Sequence, residues 1–385
     1  MPDVGRSKTV LVLGGGIGGV VTANQLRKRL DRRHRVVLVS RDDEFSFAAS
    51  YLWVMTGDRR PEQITRPLRR LQRRGIEVVI GEVEQIDPAT RTVTVAGRNL
   101  TADYLVVSLG ADWATGRVPG LTDYGHTFAT LPGAQLLARE LTSITSGRVT
   151  VVTAAPLYKC PAAPYEAALL IDAELRKRGV RNRVEVAVRS AEATPMPVAG
   201  ANVSTAVEQI LFEHDIDYKP SRQITSAEPR MIHFGDDSES TDLLVYMPPI
   251  TAPSVIADSA LAASDGWIHA DPLTLATDFD GVFSIGDNTQ IVLKIGKPLP
   301  RAGVFAHAQA LTVADRISSA ISGEPERAQF DGHGGCFIET GAGRAAYGAG
   351  DFYADPAPVI AIHTPARRWH WGKKAFEFNV MRRWL

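Results

Sequence analysis

Cysteine is nearly absent: the chain of 385 residues holds two, Cys160 and Cys336, far apart and in no Cys-x-x-Cys pair. That excludes a disulfide-stapled scaffold and argues against zinc, so no metal is expected. An excess of one charge is missing too. The 43 Lys and Arg are matched by 43 Asp and Glu, which gives no global basic footprint for nucleic acid. No apolar run approaches the length of a membrane-spanning helix. The N-terminal run Val10–Leu13 is too short for a signal-peptide core, so a cytoplasmic location is expected. Solenoid-length repeats and low-complexity tracts are also lacking. Apolar residues at 44% and charged residues at 22% are ordinary for a folded chain and exclude disorder. At this length two or three domains are expected.

The pattern that is present is alternating α/β. Thr9–Leu13 reads as a buried strand, residues 20–30 as a helix with Val20, Ala23, Leu26 and Leu30 on one face, and Val36–Val39 as the next strand. A second such unit begins at Arg148–Thr153, continues through a helix over Pro164–Arg178 with proline in its first turn, and returns at Val184–Val188. Between them, Glu77–Ile86 and Thr92–Val95 read as a small antiparallel element, and Tyr104–Ser108 as a buried strand. Later come a short strand at Gly281–Ile285 and a helix over Val304–Ser319.

The first unit carries Gly14-Gly15-Gly16-Ile17-Gly18-Gly19 between strand and helix. Gly14 suits the tight turn, Gly16 lets backbone approach a diphosphate, and Gly19 lets the helix pack on the strand; the helix N-terminus faces the phosphates. The acidic residue usual at the end of the second strand is replaced by Ser40-Arg41-Asp42. Ser40 would bond a ribose and Arg41 would meet a 2′-phosphate, so this position alone does not choose between FAD and NADP. Two further segments do. Thr277–Asp287, ending in Gly286-Asp287, resembles the second flavin signature of two-dinucleotide-domain flavoproteins, in which the Asp bonds the ribityl chain. Asp103–Ala111, with Gly110, resembles their middle signature. The resemblance implies FAD.

The second unit lacks the glycines a nicotinamide cofactor needs. Its turn reads Thr153-Ala154-Ala155-Pro156-Leu157-Tyr158-Lys159-Cys160. Proline donates no N–H and side chains block close approach of phosphate. Hence a nicotinamide-domain fold is expected without the nicotinamide.

Lys159-Cys160-Pro161-x-Ala163-Pro164-Tyr165-Glu166, Cys336-Phe337-Ile338-Glu339, Leu299–Ala310 and the Phe45–Gly57 segment together resemble sulfide:quinone oxidoreductase and the flavoprotein of flavocytochrome c sulfide dehydrogenase. The resemblance runs through essentially the whole chain. It implies a tandem Rossmann-like α/β fold of the disulfide-oxidoreductase type: an FAD-binding domain over 1–113 and 269–321, a degenerate second domain over 114–268 carrying Cys160, and a C-terminal docking segment over 322–385 carrying Cys336. It implies that Cys160 and Cys336 face each other beside the flavin, Cys336 on the flavin side, with sulfide attacking their bridge and quinone as final acceptor. It also places Gly110, Gly286, Asp287, Arg301 and Val304 along the cofactor. Two inert cysteines are the alternative.

The residues themselves fit. Cys160 precedes a helix N-terminus, which favours a thiolate. Gly332, Gly334 and Gly335 around Cys336 suggest backbone close to a cofactor. Glu166, one turn beyond Cys160, is placed to take a proton, or else only to satisfy the helix dipole. His307 reads as a packed core histidine rather than a relay. Two features depart from the family: Ala129 stands where a third cysteine is common, and Arg301 replaces an expected lysine.

The last nineteen residues hold six Lys and Arg, one Glu and five Phe or Trp. That mixture suits a membrane interface, and a quinone reductase must reach the bilayer, so peripheral attachment on the cytoplasmic membrane face is expected. The arginines of 27–35 and 59–74 read as solvated surface. Other readings remain: a type-II NADH:quinone reductase or a persulfide or disulfide reductase, and a non-enzymatic flavin redox sensor binding a partner through its basic tail. Missing glycines count against NADH, and paired cysteines against the type-II enzyme.

Overall fold

The computed structural model describes residues 6–385. Five parallel strands form the first sheet, in the order Val282–Ser284, Tyr104–Val107, Thr9–Leu13, Arg35–Ser40, Glu77–Ile80. Successive side chains of a strand point to opposite faces, and both faces here are apolar. Val10 and Val12 join a core with the helices Ile17–Arg29 and Gly303–Ser322, which pack on each other. Leu11 and Leu13 meet the small antiparallel sheet Val83–Asp87, Thr92–Val95, Arg98–Thr101. A parallel sheet covered on both faces needs such continuous Val and Leu runs.

The second sheet repeats the plan. Its parallel order is Gly125–Thr127, Leu243–Met247, Gly147–Thr153, Val184–Arg189, Asp217–Lys219. Val149 and Val151 pack with the helix Ala163–Lys177, while Val152 faces Ile224, Ala227 and Ile232 around a second small antiparallel sheet.

A third layer, His333–Gly341, Arg344–Asp351 and Val359–Ala366, is antiparallel and leads into the C-terminal helix Arg367–Arg383. Its first strand lies across both Ala163–Lys177 and Gly303–Ser322. At Gly341 a Cβ would stand 2.2 Å from the Ala173 Cβ, so only glycine lets strand and helix meet so closely.

Two expectations need correction. Glu77–Ile80 does not belong to the antiparallel element; its contiguous Val-Val-Ile run pairs at the edge of the parallel sheet, and only Val83–Asp87 turns back on Thr92–Val95. The arginines of 59–74 are not all solvated. Arg59 binds Glu377 at 2.9 Å and lies over the Trp53 ring, and Arg74 donates to Asn24 and to the Arg383 carbonyl. The glycines before Cys336 make room for protein side chains: Cβ atoms at 332, 334 and 335 would strike Tyr353, Phe305 and Tyr347.

Candidate active site

The strand Thr9–Leu13 ends at Gly14, whose φ of +110° and whose contact with the Ser108 carbonyl (2.1 Å from a would-be Cβ) require glycine. Gly19 is equally closed: a Cβ there would sit 1.9 Å from the Gly14 oxygen. Gly16 differs, because its Cβ would meet nothing within 4 Å. It faces open space at the N-terminus of Ile17–Arg29, the cradle a diphosphate needs. Gly110 also opens on free space and donates to Asn288 Oδ1 at 3.0 Å. Gly286 donates to Gln309 Oε1 at 2.7 Å, which anchors the Asp287 turn to the helix begun by Gly303 and Val304. These residues fit FAD, and they lie along one seam between the first sheet and that helix.

Ser40 lies beneath Gly15 and donates to the Asp42 carbonyl at 2.7 Å. Arg41 is exposed, 3.8 Å from Asp42. Arg301 is buried, lies 3.9 Å over the Trp267 ring and donates to the Asp287 carbonyl at 2.8 Å. Burial brings its pKa down to about 10, against the pull of Asp287 and Asp265. Its own carbonyl accepts the Cys160 N–H at 2.7 Å. The loop carrying one cysteine is thus pinned to the cofactor seam.

Cys160 adopts φ +53°, a left-handed conformation, three residues before the helix Ala163–Lys177. Cys336 sits in the strand His333–Gly341 that crosses that helix. Both are part-buried free cysteines that border one cavity, and Cys336 Sγ donates to the Phe337 carbonyl at 3.5 Å. The neighbouring Cys336 holds the Cys160 thiol below its ordinary pKa, against burial; Cys160 and burial push Cys336 well above.

Glu166 does not cap its helix in solvent. It is buried, paired with Lys373 of the C-terminal helix, and burial lifts it to about 7 although Lys373 opposes the rise. Burial also works against the Lys373 charge, yet Glu166 and Glu339 outweigh it and its pKa lies above the ordinary value. Lys373 further rests 4.8 Å over Trp53. Glu339, lifted by burial to about 7, bonds His370 Nδ1 at 2.7 Å, and its Oε1 is buried without a partner. Sequence reasoning missed Lys373 among six tail cations. The buried stripe Lys373, Glu377, Val380, Met381, Trp384 follows helical spacing and would have marked it as inward-facing. His307 is a packed residue, its ring 5.6 Å from Trp384, and burial lowers its pKa. Ala129 packs at the edge of the main core.

In the second unit the turn after Gly147–Thr153 is closed by protein. Tyr158 is buried and donates to Glu192. Arg189, at the end of the next strand, is fully buried among Asp217 and Glu239. Beside this turn lies an apolar cavity of about 70 Å³, bordered by Cys160, Cys336, Met196, Val304, Phe352 and Glu192.

The family model for pyridine nucleotide-disulphide oxidoreductases matches residues 8–310. The chain belongs to that family and is an FAD-dependent oxidoreductase. It is 28% identical over 392 residues to the sulfide-quinone reductase of Aquifex aeolicus, with 96% of this chain and 90% of that protein covered. The mitochondrial sulfide:quinone oxidoreductase of Mus musculus is 22% identical, with 93% and 81% covered. The solved structure of the Aquifex aeolicus sulfide:quinone oxidoreductase superposes with a TM-score of 0.89 at 24% identity, over 98% of this chain and 91% of that one.

Proposed function

We propose that this chain oxidises sulfide and delivers the electrons to a quinone, with Cys160 and Cys336 as its redox pair. The observation that carries the reading is that two free cysteines from separate layers of the fold border one apolar cavity, next to the FAD seam. The relatives from Aquifex aeolicus and mouse, named for this reaction, support it.

In the oxidised pair, sulfide sulfur bonds to Cys160 as the Cys160–Cys336 bond breaks, and Cys336 leaves as a thiolate. Bound FAD supplies an acceptor for that electron pair and a donor to quinone. Gly14, Gly16 and Gly19 would hold its diphosphate, Ser40 and Arg41 its adenosine end, and Gly110, Gly286, Asp287 and Val304 its ribityl and ring region. Arg301 keeps a positive charge beside that ring. Glu166 exchanges the proton of the thiol pair, and Lys373 keeps its carboxylate accessible near neutrality. Quinone is lipid-soluble. The C-terminal helix leaves Trp371 64% and Phe378 59% exposed, each under a cation, Lys374 and Arg382. This face would rest on a membrane; no helix among the described residues is long and apolar enough to cross one.

The test is anaerobic flavin reduction by sulfide in Cys160→Ala and Cys336→Ala. Both should bind FAD and lose sulfide-driven reduction by several orders of magnitude, and the double variant should be no worse than the poorer single. Near wild-type rates in both singles would refute the pair as the electron entry.

A further inference from the structure

The cavity beside the cysteines is walled by Met196, Val304, Phe352 and similar residues, and apart from the two thiols its one ionisable border is Glu192. Glu166 does not border it. Glu192 is held from behind: the Tyr158 hydroxyl donates to Oε2, and Tyr165 reaches the same oxygen at 3.5 Å while meeting Ser190 at 3.2 Å. Both phenols thus converge on one carboxylate oxygen. Glu192 Oε1 accepts no hydrogen bond among the described residues, and Glu192 itself borders the cavity.

We propose that Glu192 is a catalytic residue that takes a proton from dihydrogen sulfide in this cavity as the sulfur bonds to Cys160. The inference rests on the sulfide-oxidising reading above and assigns the form in which the substrate arrives. An apolar chamber with a carboxylate and no cationic side chain on its border disfavours the hydrosulfide anion, whose desolvation only the N-terminus of Ala163–Lys177 offsets, and in part. Neutral dihydrogen sulfide enters without that cost but is a poor nucleophile until a base removes a proton. The step balances. One S–H bond of dihydrogen sulfide breaks and its proton goes to Glu192. The freed electron pair forms the bond to Cys160, and the Cys160–Cys336 bond of the oxidised pair breaks to leave the Cys336 thiolate. The sulfide sulfur is oxidised to a Cys160 persulfide, and the disulfide is the oxidant. Glu192 is suited to the task near neutrality, since burial lifts it to about 7 while Tyr158, Tyr165 and Lys297 pull the other way. Tyr218 faces the same cluster, and Cys160 borders the same cavity.

The experiment compares wild-type, Glu192→Gln and Tyr158→Phe holoenzymes by anaerobic stopped-flow, following flavin absorbance after mixing with sulfide across the neutral pH range. Glu192→Gln should keep its FAD and its rate of quinone reoxidation after chemical reduction. Its sulfide-driven reduction should fall about 100-fold or more. The wild-type rate should rise with pH as Glu192 deprotonates, and Glu192→Gln should lack that limb. Sulfide's own ionisation is common to all three proteins, so a difference between their profiles belongs to the protein. In Tyr158→Phe the carboxylate loses a hydrogen bond that favours it, and the limb should move to higher pH. A Glu192→Gln enzyme with wild-type rate and profile overturns the proposal while the sulfide reading stands. Wild-type flavin that sulfide does not reduce overturns the reading instead. Should Glu192→Gln fail to retain FAD, an unshifted limb in Tyr158→Phe overturns the proposal.

Discussion

At the residue scale, neighbouring glycines separate folding from binding. Gly14 and Gly19 are closed in by backbone oxygens, whereas Gly16 looks into open space. Gly16→Val should therefore yield a folded apoprotein, with native far-ultraviolet circular dichroism, that does not retain FAD. Gly14→Val should fail to accumulate as folded protein, because φ +110° and the Ser108 carbonyl both oppose a side chain. The buried Glu166–Lys373 pair permits a second test. Lys373→Met leaves a carboxyl buried alone and should destabilise the holoenzyme by about 3–5 kcal/mol, whereas Glu166→Leu/Lys373→Met together should recover most of that loss. The pH dependence follows from the raised carboxyl. Its folded value of about 7 exceeds the ordinary 4.5, so its contribution to stability is complete at low pH and declines as pH rises toward 7. Removing Lys373 raises the carboxyl further and prolongs the decline. The penalty measured by chemical denaturation should thus widen above neutrality.

The C-terminal helix shows how one element serves two masters. Its inner face carries Lys373 to Glu166 and Glu377 to Arg59 and Ser50; its outer face carries Trp371 and Phe378 with their cations. Composition alone suggested a membrane tail, and the structure leaves only one side of the helix open to such a contact. Substituting Trp371 and Phe378 together by serine should weaken binding to anionic liposomes and slow reduction of a long-chain quinone, while reduction of a water-soluble short-chain quinone holds. Equal loss with both acceptors would place these rings in support of the flavin site.

Across the whole molecule, the tail closes what the two sheets leave open. Asn24 of the first unit donates to the Trp384 carbonyl at 2.9 Å, Arg74 to that of Arg383, and Lys373 reaches the helix that follows Cys160. Truncation before Trp369 should therefore lower the melting temperature and FAD retention and abolish turnover with every quinone, unlike the surface substitutions. Retained activity with the short-chain acceptor would mean that these ties are dispensable.

Much of the fold was legible because it is local. A Val-rich strand, a glycine turn and an amphipathic helix announce a βαβ unit within thirty residues, and both such units formed where the pattern placed them. The glycine cradle, the Asp287 turn and the two cysteine motifs were legible for the same reason. What the sequence could not determine is which distant charges share a low-dielectric interior. Lys373 is one of six tail cations until the helix turns it inward onto Glu166. Glu192 is an ordinary loop carboxylate until Tyr158 and an apolar cavity enclose it. The glycines before Cys336 suggested a close backbone approach, and the fold shows that they admit three aromatic rings. Such roles depend on burial and on partners from other layers, and only the tertiary structure decides those.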